Sequence, residues 1–135
     1  MGSSNLTLGE AGCTTSASAS GATYLGDTLT PKDLAKHKEL YTKDGYVIWN
    51  MFTKIFKYTK FLWRYYQFDE KIADDALLKD PNKFIIFRVN KGSHWVLALK
   101  KGFNSYVCLN PYHFPARSQT YAFKGIDGMA VFCKK

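Results

Sequence analysis

The middle of the chain carries apolar residues at the spacing of a helix. Over positions 47–58, large apolar side chains recur every three or four residues, while the lysines fall on another side. This pattern predicts an amphipathic helix. Its apolar face is formed by Ile48, Met51, Phe52, Ile55 and Phe56.

Two further helices are predicted from the residues at their ends. The segment 30–41 opens with a Thr, a Pro and then an Asp in the first turn, which indicates a helix of about ten residues. A shorter helix is expected over 69–78, because Asp80 and Pro81 end the pattern. The aromatic stretch 60–68 is ambiguous, with a slight preference for an extended segment.

The last third of the chain has the pattern of strands. Short β-branched or aromatic runs alternate with turns containing Gly, Asn or Pro, which predicts an antiparallel sheet of about five strands. The runs are 84–90, 93–101, 104–110, 119–125 and 128–135. Helices precede strands, so we expect one α+β domain over residues 1–135, with the N-terminal helices packed on one face of the C-terminal sheet.

The first thirty residues are small and polar, and they leave two interpretations open. Ser, Gly and Thr are weak helix formers, so the run TTSASASGA fits a flexible linker. Small residues also suit a helix buried tightly on most sides. Residues 1–12 are expected to form an extended N-terminal segment, and the opening Met-Gly-Ser-Ser resembles an expression leader.

Composition limits the classes of protein to consider. A chain of 135 residues with 46% hydrophobic content suits a single packed domain. No apolar run approaches the roughly 20 residues of a membrane span, and no signal peptide is expected. The net charge of +8 favours polyanionic partners such as nucleic acid, anionic envelope polymers or phospholipid surfaces. Three widely spaced cysteines indicate neither a disulfide framework nor a metal site.

Three residues far apart in sequence form a candidate catalytic group. Cys13 opens the small-residue run, and at the N-terminus of a buried helix free N–H groups would favour its thiolate. His94 starts one predicted strand and Asn110 ends the next, so in a hairpin the two lie side by side. A nucleophile, a base and an orienting carboxamide define a cysteine hydrolase that acts on amide bonds.

Two segments carry a resemblance to a known family. GEAGCTTSASA at 9–19 and KGSHWVLALKKGFNSYVCLNPY at 91–112 resemble the papain-like cysteine peptidases of the bacteriocin-leader-peptidase-like branch. The family pattern is a Gly-Cys that opens a small-residue helix, then Gly-x-His-[Trp/Phe]-Val, then Asp-Pro or Asn-Pro. The resemblance covers most of the chain and implies a papain-like fold in which Cys13, His94 and Asn110 are catalytic.

The chain departs from the family pattern at two places. The family usually has a Gln ahead of the nucleophile that donates to the oxyanion, and no Gln lies between Met1 and Gly12. Asn5 is the candidate substitute, together with the backbone N–H of Cys13. An Asn rather than an Asp at position 110 is compatible with the mechanism, since papain-type sites use Asn.

Further residues are candidates for the substrate cleft. They are Gly12, Ser93, Trp95 and His113. Trp95 has the competing interpretation of a core residue, because it points to the opposite face of its strand from His94. No metal ligand set and no cofactor are indicated.

The expected activity is hydrolysis of peptide or amide bonds. The resemblance is to short forms found in bacteriophage tail and lysis proteins, which implies a peptidoglycan endopeptidase or amidase located in the virion or at the bacterial cell wall, with other virion proteins as further partners. One alternative is an inactive or weakly active structural component of a phage tail. A weaker one is a basic nucleic-acid-binding module with aromatics interleaved with lysines, and no specific nucleic acid is expected as partner.

Overall fold

The computed structural model describes residues 8–44, 46–89, 94–110 and 117–135. Its class is α+β, with one six-stranded antiparallel sheet ordered β1-β6-β2-β3-β4-β5. The helices are α1 (Leu8–Tyr24), α2 (Pro31–Ala35), α3 (Met51–Ile55) and α4 (Glu70–Leu78), with 3₁₀ turns at Lys38–Leu40 and Phe123–Gly125. The strands are β1 (Thr59–Tyr65), β2 (Lys83–Val89), β3 (His94–Gly102), β4 (Ser105–Asn110), β5 (Arg117–Ala122) and β6 (Ile126–Lys134).

The sheet has one strand more than the strand pattern predicted. Each of the five runs of the last third contributes a strand, although the run 119–125 is a strand only to Ala122 and ends in the 3₁₀ turn Phe123–Gly125. The sixth strand, β1, comes from the ambiguous stretch 60–68, where the preference for extended structure is confirmed. β1 lies between α3 and α4 in the chain and pairs with β6. The expected order of all helices before all strands was therefore wrong.

Helices cover both faces of the sheet, whereas we expected them on one. The cause is visible in β2, where Phe84 and Ile86 join the core under α1 while Ile85 and Phe87 join the core under α4. Successive strand residues point to opposite faces, so a strand that is apolar at every position must be covered twice.

Helix α1 is the buried small-residue helix, and the linker interpretation was wrong. Its seventeen residues pack on β3 and β2, and the side chains of Ala17, Ala19 and Ala22 are buried. The helix begins at Leu8, so the expected extended segment 1–12 is helical from residue 8 onward, and residues 1–7 lie outside the described residues.

The two middle helices are shorter than predicted. At the first, Thr30 caps the helix as expected and forms a capping box with Asp33, but α2 stops after five residues. At the second, the carboxylate of the buried Asp27 accepts hydrogen bonds from the backbone N–H groups of Lys57 and Tyr58. These bonds hold the chain extended after α3, and the start of β1 follows directly.

Candidate active site

Cys13 lies in the second turn of α1, not at its N-terminus. The expected placement at the helix start was wrong, because the helix extends five residues upstream of the cysteine. The effect of the helix macrodipole falls off within the first turn. Any stabilisation of the thiolate must therefore come mainly from neighbouring side chains.

The structure brings the thiol of Cys13 and the ring of His94 together. Sγ of Cys13 lies 2.9 Å from Nδ1 of His94, across 81 positions of sequence. This is hydrogen-bonding distance for a sulfur and a ring nitrogen. The contact exists because α1 packs on β3, and His94 is the first residue of that strand.

Asn110 is the last residue of β4 and is buried. In the β3–β4 pair Leu97 lies opposite Leu109, and the same register continued by one residue sets Asn110 opposite Val96. His94 lies two positions before Val96 on the same strand, so Asn110 lies near His94 at the end of the β3–β4 pair. The Nε2 atom of His94, the ring nitrogen turned away from the sulfur, is buried as well.

The predicted cleft residues have different outcomes. Gly12 is a buried residue of α1 whose carbonyl accepts a hydrogen bond from the hydroxyl of Thr15. The placement of Trp95 in the cleft was wrong, because its indole is buried in the core at 5.2 Å from the ring of Trp49. Asn5, Ser93 and His113 lie outside the described residues.

The three thiols have different environments. Cys13 is only 3% exposed, and Cys108 is fully buried, as expected for a small apolar strand residue. Burial raises the pKa of the Cys108 thiol to about 12. Cys133 is partly exposed.

The arrangement limits what the site can hold. Within the described ranges, His, Cys, Asp and Glu side chains form no group of three or more that could hold a metal ion.

The same part of the chain contains no helix long and apolar enough to cross a membrane.

Arg64 is a neighbour of Trp95 that no sequence pattern indicated. Its guanidinium lies 4.9 Å from the ring centre of Trp95, the residue next to His94. A Cβ added at Gly128 would lie 2.9 Å from Nη1 of Arg64, so the absence of a side chain at position 128 leaves room for this arginine. No sequence signal links β1 to β3, because the contact reaches across the sheet.

Comparison of the chain with protein-family models, with curated proteins and with solved structures gave no match.

Proposed function

We propose that this chain is a papain-like cysteine hydrolase that cleaves peptide or amide bonds. The observation that carries the proposal is the 2.9 Å separation between Sγ of Cys13 and Nδ1 of His94. A sulfur nucleophile and an imidazole at this distance can exchange the proton that the reaction requires.

The reaction follows from the pair in two steps. The thiolate of Cys13 attacks the carbonyl carbon, the C–N bond breaks, and the protonated ring of His94 gives its proton to the leaving amine. Water then attacks the thioester while His94 accepts its proton, and the acid product leaves with the thiol restored. The atoms balance as the addition of one water across the amide bond.

Asn110 is proposed to orient the ring. With Nδ1 directed at the sulfur, Nε2 remains for the side-chain carbonyl of a carboxamide, which would hold the ring in the plane that serves Cys13. The position of Asn110 near His94 at the end of the β3–β4 pair and its burial support this role. The proposed oxyanion donor is Asn5, because Cys13 is the sixth residue of α1 and its backbone N–H is used within the helix.

The substrate proposed is a stem or crosslink peptide of the bacterial wall, with the protein acting from a phage particle or during lysis. Two features support this class of substrate. The first is the resemblance of the motifs around Cys13 and His94 to short phage-type peptidases. The second is the net charge of +8, which favours contact with an anionic wall.

The direct test is release of new amines from purified peptidoglycan fragments. The unmodified chain should release them, and Cys13→Ala and His94→Ala should each lower the rate by at least about 10³. Cys133→Ala is the matched control, because it removes a thiol outside the site and should leave the rate unchanged. Equal rates for the Cys13→Ala and unmodified chains would contradict the proposal.

The burial of Cys13 favours a second candidate, a structural virion component without hydrolase activity. At 3% exposure the sulfur cannot reach a substrate carbonyl unless the surrounding segments open. Assembly of phage particles separates the two candidates. If the chain is an enzyme, Cys13→Ala particles assemble normally and lose wall hydrolysis, whereas failure of these particles to assemble would indicate the structural component.

A further inference from the structure

The stretch 46–68 combines positive charge with exposed aromatic rings. It contains Lys54, Lys57, Lys60 and Arg64 and no acidic residue. The sequence pattern predicted that an amphipathic helix would separate these lysines from the apolar residues. In the structure the second half of the stretch is strand β1, and Trp63 is 63% exposed.

Strand pairing defines a strip on the face of the sheet that α4 packs against. Lys60 and Lys83 both lie opposite Cys133, so the three side chains share one face. Trp63 pairs with Val131, and Tyr65 with Met129, on that same face, where both partners belong to the core under α4. We call Lys60, Trp63, Tyr65 and Lys83 the aromatic strip.

We propose that the aromatic strip binds single-stranded nucleic acid without sequence preference. Trp63 and Tyr65 are two positions apart on one strand face, about 6.6 Å along the strand. Trp63 is the ring open to a base, and Tyr65, partly buried against the core under α4, flanks it. Sheet faces with aromatic side chains stack two or three bases in this way. Lys60 and Lys83 lie on the same face and can contact phosphates. Lys83 also forms a salt bridge with Asp80, with Nζ 3.8 Å from Oδ2.

Two features favour nucleic acid over other occupants. The edge strand β1 has a bulge between Phe61 and Trp63 and an exposed lysine, and both features disfavour the addition of a strand from a second copy. Insertion into a lipid surface needs several aliphatic side chains, and Leu62 is the aliphatic side chain that β1 exposes.

The test is fluorescence anisotropy of the full chain with labelled oligothymidine and oligouridine of about 12 nucleotides. We expect binding that weakens as salt rises, and a 10-fold or larger increase in Kd for Trp63→Ala. Trp63→Phe keeps a stacking ring and should restore most of the affinity. Phe103→Ala is the matched control, since Phe103 is 93% exposed in the β3–β4 turn, outside the strip.

The lysines are tested by the salt dependence of Kd. Lys60→Gln should reduce the slope of log Kd against log salt by roughly 0.7, the value for one phosphate contact of a single strand. Lys100→Gln, an exposed lysine of β3, makes the same change of charge and should leave the slope less affected.

Three results would overturn the proposal. They are no binding to either oligomer, an unchanged Kd for Trp63→Ala, and binding to vesicles of anionic phospholipid in place of the oligomers. A Cys13→Ala chain should bind the oligomers normally, so the strip and the hydrolase proposal fail or succeed separately.

Discussion

At the scale of single residues, the three cysteines allow the catalytic proposal to be tested by comparing thiols within one molecule. Cys13 has an imidazole at 2.9 Å, Cys108 has a pKa raised by burial to about 12, and Cys133 is a partly exposed thiol of β6. Alkylation requires the thiolate. The three thiols should therefore be alkylated at different rates.

We expect iodoacetamide at about pH 6 to modify Cys13 first, as measured by peptide mass spectrometry over time. Cys133 lies outside the site and should react slowly, and Cys108 should not react, because burial raises its pKa to about 12. Replacing His94 by Ala removes the imidazole and should slow the modification of Cys13 at this pH by roughly 10².

Equal rates at Cys13 and Cys133 in the unmodified chain would contradict the catalytic pair. No modification of Cys13 in the native chain, combined with rapid modification in urea, would instead show that its burial excludes even a small reagent. That outcome would favour the structural virion component.

At the scale of elements, the position of the site depends on how closely α1 approaches the sheet. A Cβ added at Gly21 would lie 2.2 Å from Cδ1 of Phe84, so the helix touches β2 through a residue that has no side chain. Phe84 in turn stacks on Phe132 of β6, with ring centres 4.7 Å apart. The Phe84 ring is therefore packed between Gly21 and Phe132, and displacing it would cost packing energy.

Gly21→Ala should lower the free energy of unfolding by about 1–3 kcal/mol in urea titrations, because overpacking forces the helix away from the sheet. The substitution improves helix propensity by up to about 1 kcal/mol, so a net loss identifies the clash. Gly125→Ala is the control, since no atom lies within 4 Å of the added Cβ. A Gly21→Ala chain as stable as the unmodified one would mean that α1 is not packed this tightly.

At the scale of the whole molecule, α4 is joined to the sheet by charge as well as by apolar packing. The carboxylate of Asp74 accepts hydrogen bonds from Nζ of Lys101 at 2.6 Å and from the hydroxyl of Tyr106 at 2.7 Å. Burial by itself raises the pKa of Asp74, but these hydrogen bonds outweigh it and hold the pKa below its ordinary value of 3.8.

The direction of this shift predicts how stability depends on pH. A carboxyl group whose pKa is lower in the folded state contributes stability above its unfolded pKa and loses it as the pH falls through the folded value. Asp74→Asn should therefore cost about 1 kcal/mol at pH 7, and the difference from the unmodified chain should shrink below about pH 4. Asp75→Asn, an exposed carboxylate on the same helix, is the control. A difference that stays constant down to about pH 3 would contradict this role for Asp74.

The sequence by itself determined the strands, the caps and the identity of the candidate pair. The runs of the last third form strands because β-branched and aromatic residues between turn signals favour extended structure. Asp69 caps α4 through its side chain, as local chemistry requires. Cys13 and His94 were identified by residue type and motif, and the structure brings them into contact.

Tertiary structure decided where the middle helices end and which faces are covered. Asp27 holds the backbone at Lys57 and Tyr58 from thirty residues away, and no local pattern near those residues signals it. The exposure of Trp63 depends on which strand β1 pairs with and at which register. Interactions of this kind join residues distant in the chain, so periodicity along the chain cannot reveal them, and only the packed sheet fixes them.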